Sequence, residues 1–168
     1  IDANKGFHAQ DKNIINYVID QGKGLVIVIN KWDLIKKDTY TMKNFTDDIR
    51  YDYPKLKYFP IIFISVKNNL RVPKVLEHSL NIFNRMIKRI KTNELNVFLK
   101  KIIVNYPPPS VNGKEIKMKF ISQLNISPPL FAVHTSNPRL VPESYKRYIS
   151  NKINEEYDFE GVPVKIRY

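Results

Sequence analysis

The feature that most constrains the fold is an unbroken apolar run, Leu25 to Ile29, which ends in the tetrapeptide Asn30-Lys31-Trp32-Asp33. A short continuous apolar run is typical of a strand that is buried on both faces of a parallel sheet. A second such run, Ile61 to Ile64, ends at Ser65. Helical patterns precede, separate and follow the two runs. This alternation predicts an α/β fold with a parallel sheet and flanking helices.

Three amphipathic patterns define those helices. The first lies between Asp11 and Gly22, the second is short, and the third is long with basic residues on its outer side. We expect their apolar faces to be Ile14, Ile15, Val18 and Ile19, then Met42, Phe45 and Ile49, and finally Val72, Val75, Leu76, Leu80, Phe83 and Ile87.

The pattern changes near Thr92-Asn93, which predicts two domains, residues 1–91 and 92–168. The second domain reads as helix, strand, strand, helix and strand, an α+β arrangement with a three-stranded sheet and helices on one face. Its predicted strands are 114–124, after a turn at Asn112-Gly113, then 130–136 and a closing strand 162–168. The residues predicted to face inward are Leu95, Phe98, Leu99, Ile102 and Ile103 on the first helix, Ile116, Met118 and Phe120 on the first strand, and Tyr145, Tyr148, Ile149, Ile153 and Tyr157 on the second helix.

The composition is basic, with a formal net charge of +12 and a pI of about 9.7. A positive balance of this size favours polyanionic partners such as RNA. An alternative stays open, because 21 Lys against 7 Arg with many Ile and Asn is also what an AT-rich genome encodes. No apolar stretch is long enough to span a bilayer, so no membrane partner is expected.

Asn30-Lys31-Trp32-Asp33 resembles the Asn-Lys-x-Asp motif with which P-loop GTPases read guanine. Guanine presents a ring N–H beside an exocyclic amine, and the Asp33 carboxylate could accept both hydrogen bonds at once. The resemblance implies that Asn30 braces neighbouring loops and that the stem of Lys31 lies over the base. A simple turn after a strand is the alternative interpretation.

The second apolar run supplies a matching loop. Ser65-Val66-Lys67 resembles the Ser-Ala-Lys loop whose backbone N–H reaches the guanine carbonyl, with Val66 in place of Ala. Both loops follow strands, and open parallel sheets bind ligands at the carboxyl ends of their strands. Together the two loops predict a guanine site.

The phosphate-holding parts of such a site are absent from the sequence. No Gly-x-x-x-x-Gly-Lys-Ser/Thr motif and no Asp-x-x-Gly motif occurs, and the five glycines are scattered. We therefore expect no catalytic residues and no metal ligands in this chain, and little binding or hydrolysis of GTP by it alone. Truncation ahead of Ile1 is the simplest expectation.

The resemblance extends beyond these motifs to the Der/EngA family of double-GTPase ribosome-assembly factors. It rests on IDANKGFHAQD, GKGLVIVINKWDL, YFPIIFISVKNNLRV, NYPPPSVNGKEIKMKF, SPPLFAVHTSNP and SYKRYISNKINEEYDFEGVPVKI, in the family's order. It implies that residues 1–91 are the back half of the second GTPase domain and that residues 92–168 are a KH-like domain. It also implies GTP and GDP as ligands with Mg²⁺ in the intact protein, and hydrolysis of GTP to GDP and phosphate.

The implied partners are the large ribosomal subunit with its rRNA and the GTPase domains of the same protein, which would dock on the KH-like domain. The implied location is the bacterial cytoplasm on the ribosome, with an organelle of an AT-rich eukaryote as the alternative. The oligomeric state is left open. Because KH domains usually clamp RNA with a GXXG loop that this chain lacks, basic side chains are the candidate RNA contacts. They are Lys114, Lys117, Lys119, Lys146, Arg147 and Lys152, with a merely solvated surface as the alternative.

Two other function classes remain. A basic KH-like RNA-binding module without nucleotide activity is the first, and a domain that docks onto GTPase domains is the second. The tyrosines at 145, 148 and 157 follow helical spacing and are predicted to be core residues rather than stacking platforms.

Overall fold

The computed structural model describes residues 1–36, 38–111 and 113–168. The chain forms two compact units. The first contains Ile1–Arg85 together with Glu160–Val162, and the second contains Met86–Phe159 together with Pro163–Tyr168. Of the predicted turn at Asn112-Gly113, Asn112 lies outside the described residues. Within those residues, no helix is both long and apolar enough to cross a bilayer.

The first unit has a parallel sheet with helices, as the sequence predicts. Its elements are α1 (Ala9–Asp20), β1 (Ile27–Ile29), α2 (Thr41–Asp52), β2 (Ile61–Phe63) and α3 (Val72–Met86). Strands β1 and β2 pair in parallel with Ile27 opposite Ile61. Asp2 bridges to Asn30 in parallel on the other side of β1, so Ile1–Ala3 extends the sheet.

The segment Glu160–Val162 is held in the first unit by backbone hydrogen bonds. Gly161 N–H donates to the Tyr58 carbonyl at 2.7 Å, and Leu25 N–H donates to the Gly161 carbonyl at 2.9 Å. Gly161 has φ +79°, and a Cβ there would lie 2.4 Å from Ile82 Cδ1. Only glycine meets both the dihedral angle and the close approach without strain.

Two predicted apolar faces of this unit are wrong in part. In α1, Ile15 is buried but Ile14 is exposed. In α3, Ile82 is the buried residue of the helix, whereas Leu76, Leu80, Phe83 and the following Ile87 are exposed. The periodicity of these residues marks an apolar side of the helix correctly, but burial also requires a neighbouring element to cover that side.

The second unit has the predicted order of helix, strand, strand, helix and strand. Its elements are α4 (Thr92–Asn105), β3 (Met118–Asn125), β4 (Leu130–Thr135), α5 (Glu143–Tyr157) and β5 (Lys165–Arg167). The sheet order is β3-β4-β5, with β3 and β4 antiparallel and β4 and β5 parallel. The buried helix residues are Leu95, Phe98, Leu99 and Ile102 in α4, and Tyr145, Ile149, Ile153 and Tyr157 in α5.

Polar side chains join the first helix of this unit to its sheet. Asn96 Nδ2 donates to the Ile121 carbonyl at 3.0 Å, and Ile121 N–H donates to Asn96 Oδ1 at 3.1 Å. The buried Gln123 accepts from Ile90 N–H at 2.9 Å and donates to the Lys88 carbonyl at 3.0 Å. The buried amide of Gln123 is thus satisfied at both ends, as a buried polar group requires.

The predicted alternation of β3 is wrong after Met118. The pairing shows a register irregularity between Met118 and Phe120, and from there Ile121 and Gln123 are buried while Phe120 is exposed. A bulge adds one residue to a strand, and a shift of one residue moves every following side chain to the opposite face. The strand also begins at Met118 rather than at Lys114.

The predicted tyrosine core is confirmed. Tyr145 and Tyr157 are buried, and Tyr148 is half-buried with its hydroxyl donating to the Ile102 carbonyl at 3.0 Å. Burial raises the pKa of Tyr145 to about 12, and nearby Tyr148 and Tyr106 add to the effect. Burial also raises the pKa of Tyr157 to about 12, with smaller contributions from Glu94 and Glu156.

Candidate functional site: two loops at one edge of a parallel sheet

The two predicted guanine loops leave the same edge of the parallel sheet. Asn30 follows the last residue of β1, and Ile64 and Ser65 follow the last residue of β2. Because β1 and β2 are parallel neighbours with Ile29 opposite Phe63, their carboxyl ends lie side by side. The structure therefore brings residues 30–33 and 65–67 together.

Hydrogen bonds connect the two loops directly. Trp32 N–H donates to the Ile64 carbonyl at 3.0 Å, and Val66 N–H donates to Asn30 Oδ1 at 3.2 Å. The same Asn30 oxygen accepts from Lys31 N–H at 2.7 Å. One side-chain oxygen thus holds the backbone of both loops. Asparagine suits this position because its amide is short, polar and uncharged.

Lys31 lies in a left-handed backbone conformation with φ 62°, which turns the chain sharply after the strand. Its ammonium group forms an ion pair with Asp2 Oδ2 at 2.7 Å. The hydrogen bond from Lys31 holds the pKa of the Asp2 carboxyl below its ordinary value, and Asn4 N–H, which donates to Asp2 Oδ1 at 2.9 Å, acts in the same direction. The ion pair fixes the direction of the Lys31 side chain.

Asp33 lies in the short 3₁₀ turn Trp32–Leu34 and is half-buried. The preceding Trp32 is buried and packs against Phe63 at 4.4 Å and edge-on to Phe45 at 5.7 Å, measured between ring centroids. The indole therefore anchors the turn that carries the carboxylate to β2 and α2. Any residue is allowed at this position of the Asn-Lys-x-Asp motif, so the motif did not predict that Trp32 anchors the turn. Trp32 is the only tryptophan in the chain, which was the available signal.

The second loop is closed by its own hydrogen bonds. Ser65 is fully buried, and its backbone exchanges hydrogen bonds with Leu70 at 2.8 and 3.1 Å. Asn68 N–H donates to Ser65 Oγ at 3.2 Å. Val66 and Lys67 are exposed beyond this closed turn, so the larger side chain of Val66 meets solvent rather than the loop interior.

The chemistry available at this edge is recognition rather than catalysis. It provides one carboxylate, one amide and a backbone N–H, the groups that pair with a purine edge. Among the residues that the structure describes, no cluster of three or more His, Cys, Asp or Glu could hold a metal ion. These described residues therefore supply no ready set of carboxylate or imidazole ligands for Mg²⁺.

The predicted RNA contacts are spread over the second unit. Lys114 pairs with Val111 in a turn, Lys117 precedes β3, and Lys119 lies in β3. Lys146, Arg147 and Lys152 lie on α5. Three of the six form ion pairs with carboxylates: Lys117 with Glu115 at 3.3 Å, Lys146 with Glu143 at 2.7 Å and Lys152 with Glu155 at 2.9 Å. These pairs reduce the positive field that the isolated lysines suggest.

Two family models match successive parts of the chain. Residues 1–85 match the family described as the elongation factor Tu GTP binding domain. Residues 89–168 match the family described as the KH-domain-like C-terminal part of EngA bacterial GTPase enzymes. The class is therefore a segment similar to a GTP binding domain followed by a KH-like domain of the EngA type.

Longer relatives identify the family within this class. GTPase Der of Lactobacillus johnsonii is 40% identical over 166 residues, which is 99% of this chain and 38% of the relative. GTPase Der of Thermoanaerobacter sp. is 42% identical over 166 residues with the same coverage. A crystal structure of Era from Aquifex aeolicus with GDP and aluminium fluoride aligns with 99% of this chain and 62% of its own, at 19% identity and a TM-score of 0.41. The chain belongs to the Der/EngA GTPase family, and it spans 38% of the length of the relatives it matches.

Proposed function

We propose that this chain supplies the guanine-reading part of a GTP-hydrolysing protein that acts in maturation of the large ribosomal subunit. Residues 1–91 would be the back half of the second GTPase domain, and residues 92–168 the KH-like domain. The observation that carries the proposal is the joined pair of loops, in which Asn30 links the turn bearing Asp33 to the loop at Ser65.

In this proposal Asp33 accepts the two guanine N–H groups. Val66 N–H, which donates to Asn30 Oδ1 in this structure, turns to the guanine carbonyl when the base binds. Asn30 holds both loops in register, while the stem of Lys31 covers the base and Lys67 flanks it. GTP or GDP binds tightly only in the intact protein, because the phosphate loop and the Mg²⁺ ligands do not occur in this sequence. The 168-residue chain alone is then inactive as a hydrolase.

The decisive experiment replaces Asp33 in the intact protein. We expect Asp33→Asn to weaken GDP binding roughly 10²- to 10⁴-fold, because two hydrogen bonds to a charged group are each worth about 1.5–3 kcal/mol. The same variant should gain affinity for xanthine nucleotides, since xanthine offers a carbonyl where guanine has an amine. Titrations with fluorescent mant-GDP and mant-XDP measure both changes.

A matched control is Asp47→Asn, which removes an exposed carboxylate from α2 in the same unit. It should leave both affinities at their wild-type values. An unchanged preference for guanine in Asp33→Asn rejects the assignment of the site.

The partners proposed for the intact protein are the large ribosomal subunit with its rRNA, and its own GTPase domains docked on the KH-like domain. The proposed location is the bacterial cytoplasm, on the ribosome, with an organelle of an AT-rich eukaryote as the alternative; the bacterial sources of the relatives support the first. The rival function is a basic KH-like RNA-binding module with no nucleotide activity, which the net charge of +12 favours.

Titrating this chain with mant-GDP and with rRNA at two salt concentrations shows which of the two ligands it binds by itself. Salt-dependent RNA binding without nucleotide binding agrees with both, and then the intact protein decides through its GDP affinity. Tight nucleotide binding by the chain alone contradicts the view that the phosphate loop is essential. Affinity for an isolated GTPase domain that RNA does not change supports the docking role.

A further inference from the structure

The sheet of the second unit is covered on one side and open on the other. Ile121, Gln123, Phe131 and Val133 are buried on the covered side. The intervening residues of the three strands share the opposite side, because side chains alternate along each strand. We call this side the open sheet face and define it by Phe120, Ser122, Leu130, Ala132, His134, Lys165 and Arg167.

Two flat rings stand together on the open sheet face. Phe120 and His134 are direct partners in the β3–β4 pairing, and their rings stack with centroids 4.0 Å apart and planes at 16°. Both side chains are exposed, and Phe120 keeps 44% of its surface accessible. The bulge before Phe120 produces this arrangement, because without it Phe120 would lie on the covered side.

The strand next to this pair carries positive charge. Arg167 pairs with Ala132 and Lys165 with Leu130 in the parallel β4–β5 register, and both basic side chains are exposed. Arg167 lies opposite Ala132, two residues from His134 on the same face, so its long side chain can approach the ring pair. None of the residues that define the open sheet face is a carboxylate.

Stacked rings beside cations on an open sheet are the chemistry that holds unpaired nucleotides. Every base has a flat face that can stack on an aromatic ring whatever its sequence, while Arg and Lys attract the phosphates. Bases in a duplex are already stacked on each other and offer no free face. The core of a protein–protein interface is a wide apolar surface, whereas the small side chains of Ser122 and Ala132 occupy the centre of this face.

We propose that the open sheet face binds single-stranded RNA, with an unpaired base stacked on the Phe120–His134 pair and the adjoining phosphates at Lys165 and Arg167. This inference rests on the RNA partner in the function proposed above and gives that partner a site. The site uses residues other than the six basic side chains predicted from the sequence, of which Lys119 is the neighbour of Phe120 in β3. It binds through stacking as well as charge.

The test uses the 168-residue chain and a short fluorescein-labelled single-stranded oligoadenylate, with an RNA duplex of equal length as the comparison. Anisotropy titrations should show tighter binding of the single strand. Phe120→Ala should weaken that binding roughly 5- to 150-fold, the range found when one stacking residue is removed. Phe120→Tyr keeps the flat ring and should keep the affinity, whereas Phe120→Leu keeps the bulk and should not.

Two further variants separate stacking from charge and from general surface change. Arg167→Gln should reduce the slope of log affinity against log salt by about one. Val104→Ala removes a side chain that is 80% exposed on α4, away from the sheet, and should change nothing. A 2-aminopurine placed in the oligonucleotide reports stacking by its quenched fluorescence, and Phe120→Ala should abolish the quenching.

If wild type and Phe120→Ala bind the single strand with equal affinity and have equal midpoints of thermal unfolding, the proposal is overturned. Any RNA binding is then due to the lysines alone. Tighter binding of the duplex, or no binding of the single strand at low salt, also overturns it. The intact protein with Phe120→Ala should keep its GDP affinity while losing single-stranded RNA. The failure of this proposal is thereby distinct from a failure at Asp33, which is seen in the nucleotide titration.

Discussion

Helices with similar apolar patterns are buried to different extents in the two units. In the second unit, α4 buries Leu95, Phe98, Leu99 and Ile102. In the first unit, α3 buries Ile82, and its Leu76, Leu80 and Phe83 are exposed. Both helices show apolar residues at intervals of three and four. The same pattern thus marks a core in one unit and a surface in the other.

This difference in burial shows what the spacing of apolar residues in a helix does and does not predict. An apolar stripe states that a helix has a side suited to contact, but an adjoining layer must be present before burial contributes free energy. In the second unit, a three-stranded sheet and α5 supply the other layers. In the first unit, the sheet has two strands and the short extension at Ile1–Ala3.

The first prediction concerns the anchor of the candidate site. Trp32→Ala should lower the free energy of unfolding by about 3–5 kcal/mol, because it empties a buried aromatic position between Phe45 and Phe63. Urea unfolding followed by far-UV circular dichroism measures the loss. Tyr51→Ala, which removes a ring that is 87% exposed in the same unit, should stay within about 0.5 kcal/mol. Similar losses from both variants would mean that the indole does not anchor the turn.

The second prediction compares the two helices directly. Leu99→Ala should destabilise the second unit by about 2–5 kcal/mol, since this side chain is buried in α4. Leu80→Ala, which truncates a leucine that is 64% exposed on α3, should change stability by less than about 0.5 kcal/mol. Urea unfolding followed by far-UV circular dichroism measures both losses. Trp32 fluorescence reports the first unit separately. Equal effects of the two leucine variants would remove the contrast between the units.

The third prediction concerns the bond between the loops. Asn30→Ala removes the acceptor for Lys31 N–H and Val66 N–H and should cost about 1 kcal/mol at this partly exposed position. Amide hydrogen exchange at Val66 should become faster. Asn30→Asp retains an acceptor oxygen and should retain most of the protection. Unchanged exchange in Asn30→Ala would show that the loops hold together without this side chain.

The last prediction is a loss of stability at high pH in the second unit. The pKa values of Tyr145 and Tyr157 are about 12 in the folded chain and about 10 when unfolded, so only the unfolded state ionises between these values. Stability from these groups is fully present below pH 10 and is lost as the pH rises toward 12. Tyrosinate absorbance and circular dichroism follow the transition. Tyr145→Phe should reduce the pH dependence, and an unchanged profile would contradict it.

Much of the fold was predictable because its signals are local. Continuous apolar runs marked β1 and β2, and helical spacing marked the buried residues of α4 and α5. The two candidate loops were predictable as neighbours because each follows a strand of the parallel sheet. The exposure of Phe120 was not predictable, since it depends on one extra residue in the β3–β4 pairing. The ion pair of Lys31 with Asp2 joins residues far apart in sequence and left no signal.

The sequence by itself determined the order of the elements, the two loops and the positive charge, because each depends on neighbouring residues or on simple sums. Only the tertiary structure decided which apolar stripes are buried, that Trp32 anchors the site, and that Phe120 and His134 stack on an open face. These outcomes depend on which surfaces meet. A one-residue change of register or an absent neighbouring layer alters them without altering the local pattern.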